Sequence, residues 1–199
     1  MTALIRRTAT TLLATAALAS VAQLAFAATN AAQTRKRIDS MSQTALQNLF
    51  DEEAGAKKLF DESAGYAVFR ATKGGLLITG AGGTGVVVNK RTGQRTYMHM
   101  GSGGIGLGGG VQIYRLIIFF ETQPALEKFV DHGWDATTNA QAAAGTAGVN
   151  ATSSFINGLA VYQLTDKGLM AQADVSGTHF WKADKLNSKP EPAKTGSGS

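Results

Sequence analysis

Gly101-Ser-Gly-Gly-Ile-Gly-Leu-Gly-Gly-Gly110 lies at the centre of the stretch that decides the fold, residues 65–121. From Gly104 to Gly110 every even position is glycine, whereas Ile105, Leu107, Val111 and Ile113 occupy odd positions. Successive side chains of a strand point to opposite faces, so this segment reads as a strand with one aliphatic face and one bare face. Glycine weakens a strand unless something must approach its backbone. The bare face therefore predicts a packed helix, a second sheet or an apolar ligand against it. Such a stretch is a scaffold or a binding surface, with no chemistry of its own.

Strand signals surround it. Tyr66 to Ala71, Leu76 to Gly80, Gly85 to Lys90 and Arg95 to Met100 are short β-branched or aromatic runs separated by glycines or turns. Arg91-Thr-Gly-Gln94 is a hairpin signal in which Gly93 can take a positive φ. Residues 104–121 read as one long bent strand or as two. The run Leu116 to Phe120 is apolar on both faces, which predicts a central place in the sheet. Pro124 opens a short helix, Ala125 to His132, closed by Gly133. The small-residue stretch Trp134 to Ser154 is expected to form two tightly packed strands. Leu159 to Leu164 and Gly168 to Val175 form a last hairpin, and His179-Phe-Trp181 is expected to pack back on the domain.

Upstream, Thr34 to Ser63 is helical in pattern. Ile38, Met41, Ala45, Leu46 and Leu49 make one apolar stripe, and Gly55 marks a break before a shorter helix with Lys57, Lys58, Leu59 and Phe60. Before that, Arg6 and Arg7, the apolar Thr8 to Leu24 and Ala25-Phe-Ala27 have the order of a signal peptide with its cleavage site. Residues 1–27 are therefore expected to be removed, residues 28–184 to form one domain, and residues 185–199 to be a disordered tail. The expected location is the periplasm, with possible membrane association. The 199-residue chain carries 19 basic and 14 acidic residues, net +5. Loss of Arg6 and Arg7 leaves 17 basic and 14 acidic, net +3, so bulk charge gives no argument for nucleic acid.

The absence of cysteine excludes disulfides, thiol catalysis and cysteine-ligated metals. Gly80-x-Gly82-x-x-Gly85 and Gly101-x-Gly103-x-x-Gly106 match a dinucleotide pattern, but that chemistry requires a helix N-terminus after the loop, and each is followed by a strand pattern. His99, His132 and His179 lie in different elements without metal-site spacing. Ser102 lacks the strand-turn-helix setting of a hydrolase nucleophile. Glu52, Glu53, Asp61 and Glu62 read as a solvated helix face. No catalytic constellation is found, so no enzyme activity and no cofactor or metal is expected.

Four blocks in order resemble the SYLF domain: Ala64-Gly-Tyr-Ala-Val-Phe69 with Lys73-Gly-Gly75, Gly80-Ala-Gly-Gly-Thr-Gly-Val-Val-Val88, Gly103-Gly-Ile-Gly-Leu-Gly-Gly-Gly110 running into Leu116-Ile-Ile-Phe119, and Lys167-Gly-Leu-Met-Ala171. The resemblance spans about Thr34 to Asp184. It implies a module that binds phosphoinositides or other anionic lipids, without enzyme activity and with actin binding in fungal members. The export signal makes actin an unlikely partner. This chain departs from the family pattern at Arg115, where relatives carry an acidic residue, at Thr146 in place of proline and at Gln172 in place of glycine.

The expected fold is α+β, with N-terminal helices packed on a strongly curved, mainly antiparallel, glycine-rich sheet that can close towards a barrel. The expected function is non-catalytic binding of anionic lipid or a membrane surface in the cell envelope. Arg35, Lys36, Arg37, Lys57, Lys58 and Lys73 are the candidate headgroup contacts, because basic residues beside an apolar helix face suit a lipid interface. The alternative is a structural or protein-partner role in the envelope through the glycine-rich face.

Overall fold

The structure is a computed structural model that describes residues 29–75, 78–105, 110–134, 154–169 and 177–188. The expected signal peptide, the glycines at 106, 108 and 109, and the two strands expected within 134–154 lie mostly or wholly outside the described residues. The protein is α+β. Helix α1 covers 29–52 and α2 Ala54–Glu62. Strands β1 (Gly65–Gly75), β2 (Ile78–Asn89), β3 (Arg95–Ile105) and β4 (Gly110–Phe120) lead into α3 (Gln123–His132). Then follow β5 (Leu159–Thr165), the two-residue β6 (Gly168–Leu169), β7 (Thr178–Lys182) and the short α4 (Asp184–Asn187).

The strands form one antiparallel sheet in the order β6-β5-β4-β1-β2-β3-β7. Among the described residues the sheet does not close into a barrel: β6 and β7 are its separate edges. The β1–β2 hairpin lies between β3 and β4, which follow one another in the chain. Gly101 to Ile105 of the glycine-rich centre thus belong to β3 and Gly110 to β4, two strands that are not neighbours.

The expected glycine breaks within β1, β2 and β3 do not occur, and each runs 11 or 12 residues. The reason is local packing. A Cβ on Gly85 would overlap the Val68 carbonyl oxygen and come within 2.5 Å of Phe69 Cδ1. Glycine there permits close approach of β1 and β2 rather than ending a strand. Gly93, with φ +72°, does make the tight turn between β2 and β3, and the Asn89 side chain accepts hydrogen bonds from the backbone of Arg91 and Thr92.

The pleat divides the core in two. On one face Phe69, Met98, Leu116, Phe120 and Phe180 pack against Leu126 and Phe129 of α3. Phe129 is within 5.0 Å, ring to ring, of both Phe120 and Phe180. On the other face Val68, Ile117, Phe119, Tyr162 and Leu164 pack against Ala45, Leu46 and Leu49 of α1 and Ala56 and Leu59 of α2. Burying each such side chain contributes about 1.5–3 kcal/mol. Every residue from Leu116 to Phe120 is buried, as the apolar run predicts for a strand covered on both faces.

The helices end for identifiable reasons. Glu53 separates α1 from α2, two residues before the expected break, and its carboxylate accepts from Gly55 N. Thr122 caps α3 through Ala125 N, and Gly133 closes it at φ +69°. At the C-terminal side the short α4 spans residue 185, where the tail is expected to begin. Asn187 accepts from Tyr97 N at 2.8 Å and donates to Tyr97 O at 2.7 Å, which ties α4 to β3.

Candidate basic groove

Helix α1 lies across one face of the sheet, held at both ends. Near its start Arg35 donates to the Leu186 carbonyl at 2.9 Å, and at its end Glu52 accepts from Leu169 N at 2.5 Å. Between these ties, Ile38 joins Val86, Val88 and Tyr97 in a small apolar cluster. Tyr97 also donates to Asp39 at 3.1 Å, and Asp39 pairs with Arg95 at 2.8 Å. Burial and the Asp39 carboxylate push the Tyr97 hydroxyl pKa up. On this flank of α1 the Asp39 carboxylate is paired and the Tyr97 ring is buried.

The other flank is open and basic. Gln33, Lys36, Arg37, Ser40, Met41 and Thr44 line a groove with Arg115 of β4. Positions 33, 37, 40 and 44 recur at helical spacing, so they form one edge of α1. The lining contains three cations and no carboxylate. Lys36 and Arg37 are exposed, and the Arg115 side chain is 24% exposed.

Arg115 faces a second arginine. In the β1–β4 register Arg70 stands opposite Arg115, while Thr84 of β2 stands opposite Arg70 on its other side. The row continues through His99 of β3 to Trp181 of β7. These residues share the α1 face, because Val68 and Ile117, each two residues away along its strand, are buried on that face. Arg115 is 3.6 Å from Asp166, itself 75% exposed. Arg70 is exposed and has no ion-pair partner among the described residues. Beyond Arg70, among the described residues, a Cβ on Gly82 or Gly103 would meet nothing within 4 Å, whereas one on Gly101 would lie 3.2 Å from the Trp181 ring.

The six cations singled out by sequence separate into different settings. Lys36 and Arg37 enter the groove. Arg35 serves as a tether between α1 and α4. Lys57 pairs with Asp61 at 2.5 Å and Lys58 with Glu62 at 3.9 Å, both on the exposed side of α2. Lys73 shares the α3 face of β1 with Phe69 and Ala71, opposite to Arg70. Arg70 and Arg115 were missing from the candidate set. Their opposition depends on β4 pairing with β1, which no local pattern encodes.

His99 and His179 stand on either side of Trp181, with ring centroids 5.7 and 6.3 Å from it. Among the described residues no three His, Cys, Asp or Glu side chains cluster as metal ligands. Of the two glycine fingerprints, Gly80 to Gly85 lies within β2, and Gly101 and Gly103 lie in β3, strands rather than the loop before a helix N-terminus that would hold a pyrophosphate.

Residues 101–190 match the family model Ysc84, described as Las17-binding protein actin regulator. The chain is also 40% identical over 151 residues to Beta cell expansion factor A of Aeromonas veronii. That alignment covers 76% of this chain and 58% of the relative, so the chain spans little more than half of that protein's length. The glycine blocks, the strand they build and these matches together make the chain a member of the Ysc84, or SYLF, family.

Proposed function

We propose that this protein is a non-catalytic module that binds anionic lipid headgroups at a membrane surface of the cell envelope. One observation carries the reading: Lys36, Arg37 and Arg115 converge on an open groove that no carboxylate lines. Cations near an anionic surface each contribute about 1 kcal/mol, and salt screens that attraction. The SYLF family is a family of binding domains without enzymatic activity, which accords with a groove that offers cations and no acid–base pair. Among the described residues no helix is long and apolar enough to cross a membrane. The signal-peptide pattern of residues 1–27 supports a periplasmic location.

Co-sedimentation with phosphatidylglycerol and phosphatidylcholine vesicles tests the proposal. Wild type should pellet with the anionic vesicles at low salt and be released at high salt. The double variant Lys36→Gln/Arg37→Gln should bind roughly thirtyfold more weakly, from about 2 kcal/mol of lost attraction. Failure of wild type to pellet with anionic vesicles at low salt would sink the lipid reading.

A protein-partner role is the second reading. The open space over Gly82 and Gly103 among the described residues, with Trp181 46% exposed, favours it. The family's description as binding Las17 points the same way. Binding unaffected by salt, and directed to an envelope protein rather than to vesicles, would support this reading.

A further inference from the structure

Resting on the lipid reading and deepening it, we infer that Arg70 and Arg115 form a two-arginine clamp for a phosphate monoester dianion. Opposed residues on antiparallel strands hold their Cβ atoms about 4.5–5.5 Å apart, and like charges so placed are destabilising. The register sets these two arginines directly opposite each other on one face. Their compensation is incomplete. Arg115 has one carboxylate at 3.6 Å, on the largely exposed Asp166, and Arg70 has none among the described residues. Lys36 and Arg37 add two more positive charges along the groove that Arg115 lines. A bound dianion would remove the repulsion that the bare protein retains.

Shape and charge both select the ligand class. Each guanidinium presents a planar fork of donors that matches phosphate oxygens two at a time. A phosphodiester carries a single charge, whereas a phosphate monoester carries about −1.5 to −2 at neutral pH. Two opposed arginines therefore suit the monoester. Access is open, because beside Arg70 the sheet continues into Thr72 and Gly82, and a Cβ on Gly82 would have open space around it. Thr84, opposite Arg70 on β2, adds a hydroxyl on the same face.

The experiment compares three probes on the full chain: inorganic phosphate against chloride at equal ionic strength, phosphatidic acid vesicles, and phosphatidylglycerol vesicles of matched surface charge. Wild type should prefer phosphatidic acid by about tenfold, the scale of one or two charge-assisted hydrogen bonds. Inorganic phosphate should compete with it. Arg70→Gln should abolish the preference while leaving phosphatidylglycerol binding within about fivefold, since the general attraction comes from several cations. Circular dichroism should show that this exposed replacement keeps the fold, and Arg115→Gln should also abolish the preference while weakening phosphatidylglycerol binding about fivefold, because Arg115 lines the groove as well. Equal binding of both vesicle types by wild type, or a preference that survives in Arg70→Gln, overturns the clamp and leaves the lipid reading standing. Arg70-dependent binding of inorganic phosphate without vesicle binding keeps the clamp, assigns it to a soluble phosphate and sinks the lipid reading. Binding of no probe overturns both.

Discussion

Gly82 and Gly85 are three residues apart on β2, and the structure predicts opposite consequences for the same replacement. At Gly85 a new methyl group would overlap the Val68 carbonyl and lie 2.5 and 2.7 Å from Phe69 Cδ1 and Cγ. Phe69 is fully buried and touches the rings of Phe129 and Phe180, so it has little room to yield. The carbonyl belongs to a paired strand and cannot rotate away. Overpacking of a filled interior costs about 1–3 kcal/mol, and the backbone obstacle places Gly85→Ala at or above the upper end. With about 2–4 °C per kcal/mol for a chain of this size, Tm should fall by roughly 6–12 °C. At Gly82 the added methyl would meet nothing within 4 Å, and φ is not positive. Restricting the unfolded chain there should add about 0.4–1 kcal/mol, so Tm of Gly82→Ala should hold or rise slightly. Thermal unfolding followed by circular dichroism reads both variants. A Gly85→Ala protein melting within about 2 °C of wild type, or an equal loss at Gly82, would refute the described packing of β1 on β2.

Other expectations follow from particular contacts. Asn187→Ala removes both hydrogen bonds to the Tyr97 backbone and should cost about 1–3 kcal/mol in denaturant unfolding. Burial raises the pKa of Tyr66, Tyr97 and Tyr162, so the fold favours their neutral forms. The unfolded chain then ionises first, and stability should hold below about pH 10 and fall as pH rises beyond it. Tyr162→Phe should flatten that fall in melting curves recorded between about pH 9 and pH 12. Protein recovered from the cell envelope should begin at Ala28 by intact-mass measurement. Retention of residues 1–27 would count against the expected export signal.

Much of the scaffold is legible residue by residue. Of the stripe Ile38, Met41, Ala45, Leu46 and Leu49, all but the half-buried Met41 are buried as the spacing predicts, and Gly93 and Gly133 take positive φ where the turn and helix end require it. The strand lengths were obscured because glycine has two uses. In an isolated segment it looks like punctuation, whereas at Gly85 it answers a neighbour whose identity depends on pairing. The basic triplet Arg35-Lys36-Arg37 was partly readable: consecutive helix residues step about 100° around the axis and cannot all address one surface. The Arg70–Arg115 opposition was not readable. It joins two strands through a sheet order that departs from chain order, and the β-strand pattern is compatible with several such orders.

The insertion of β1 and β2 between β3 and β4 also constrains how the chain can fold. The β1–β2 hairpin closes over a short separation, whereas β1 pairs with β4 only after the chain has travelled from Gly65 to Phe120. Distant pairings form later because loop closure must precede the contacts that reward it. The strand left waiting is the one that carries Leu116-Ile-Ile-Phe-Phe120, a β-prone run without charge or proline. Until β4 docks, that run and the open edge of β1 are both available to other chains. Refolding should therefore be concentration-sensitive in its yield, and placing a charge at Ile118 should raise solubility of the unfolded chain while destroying the core that Ile118 completes.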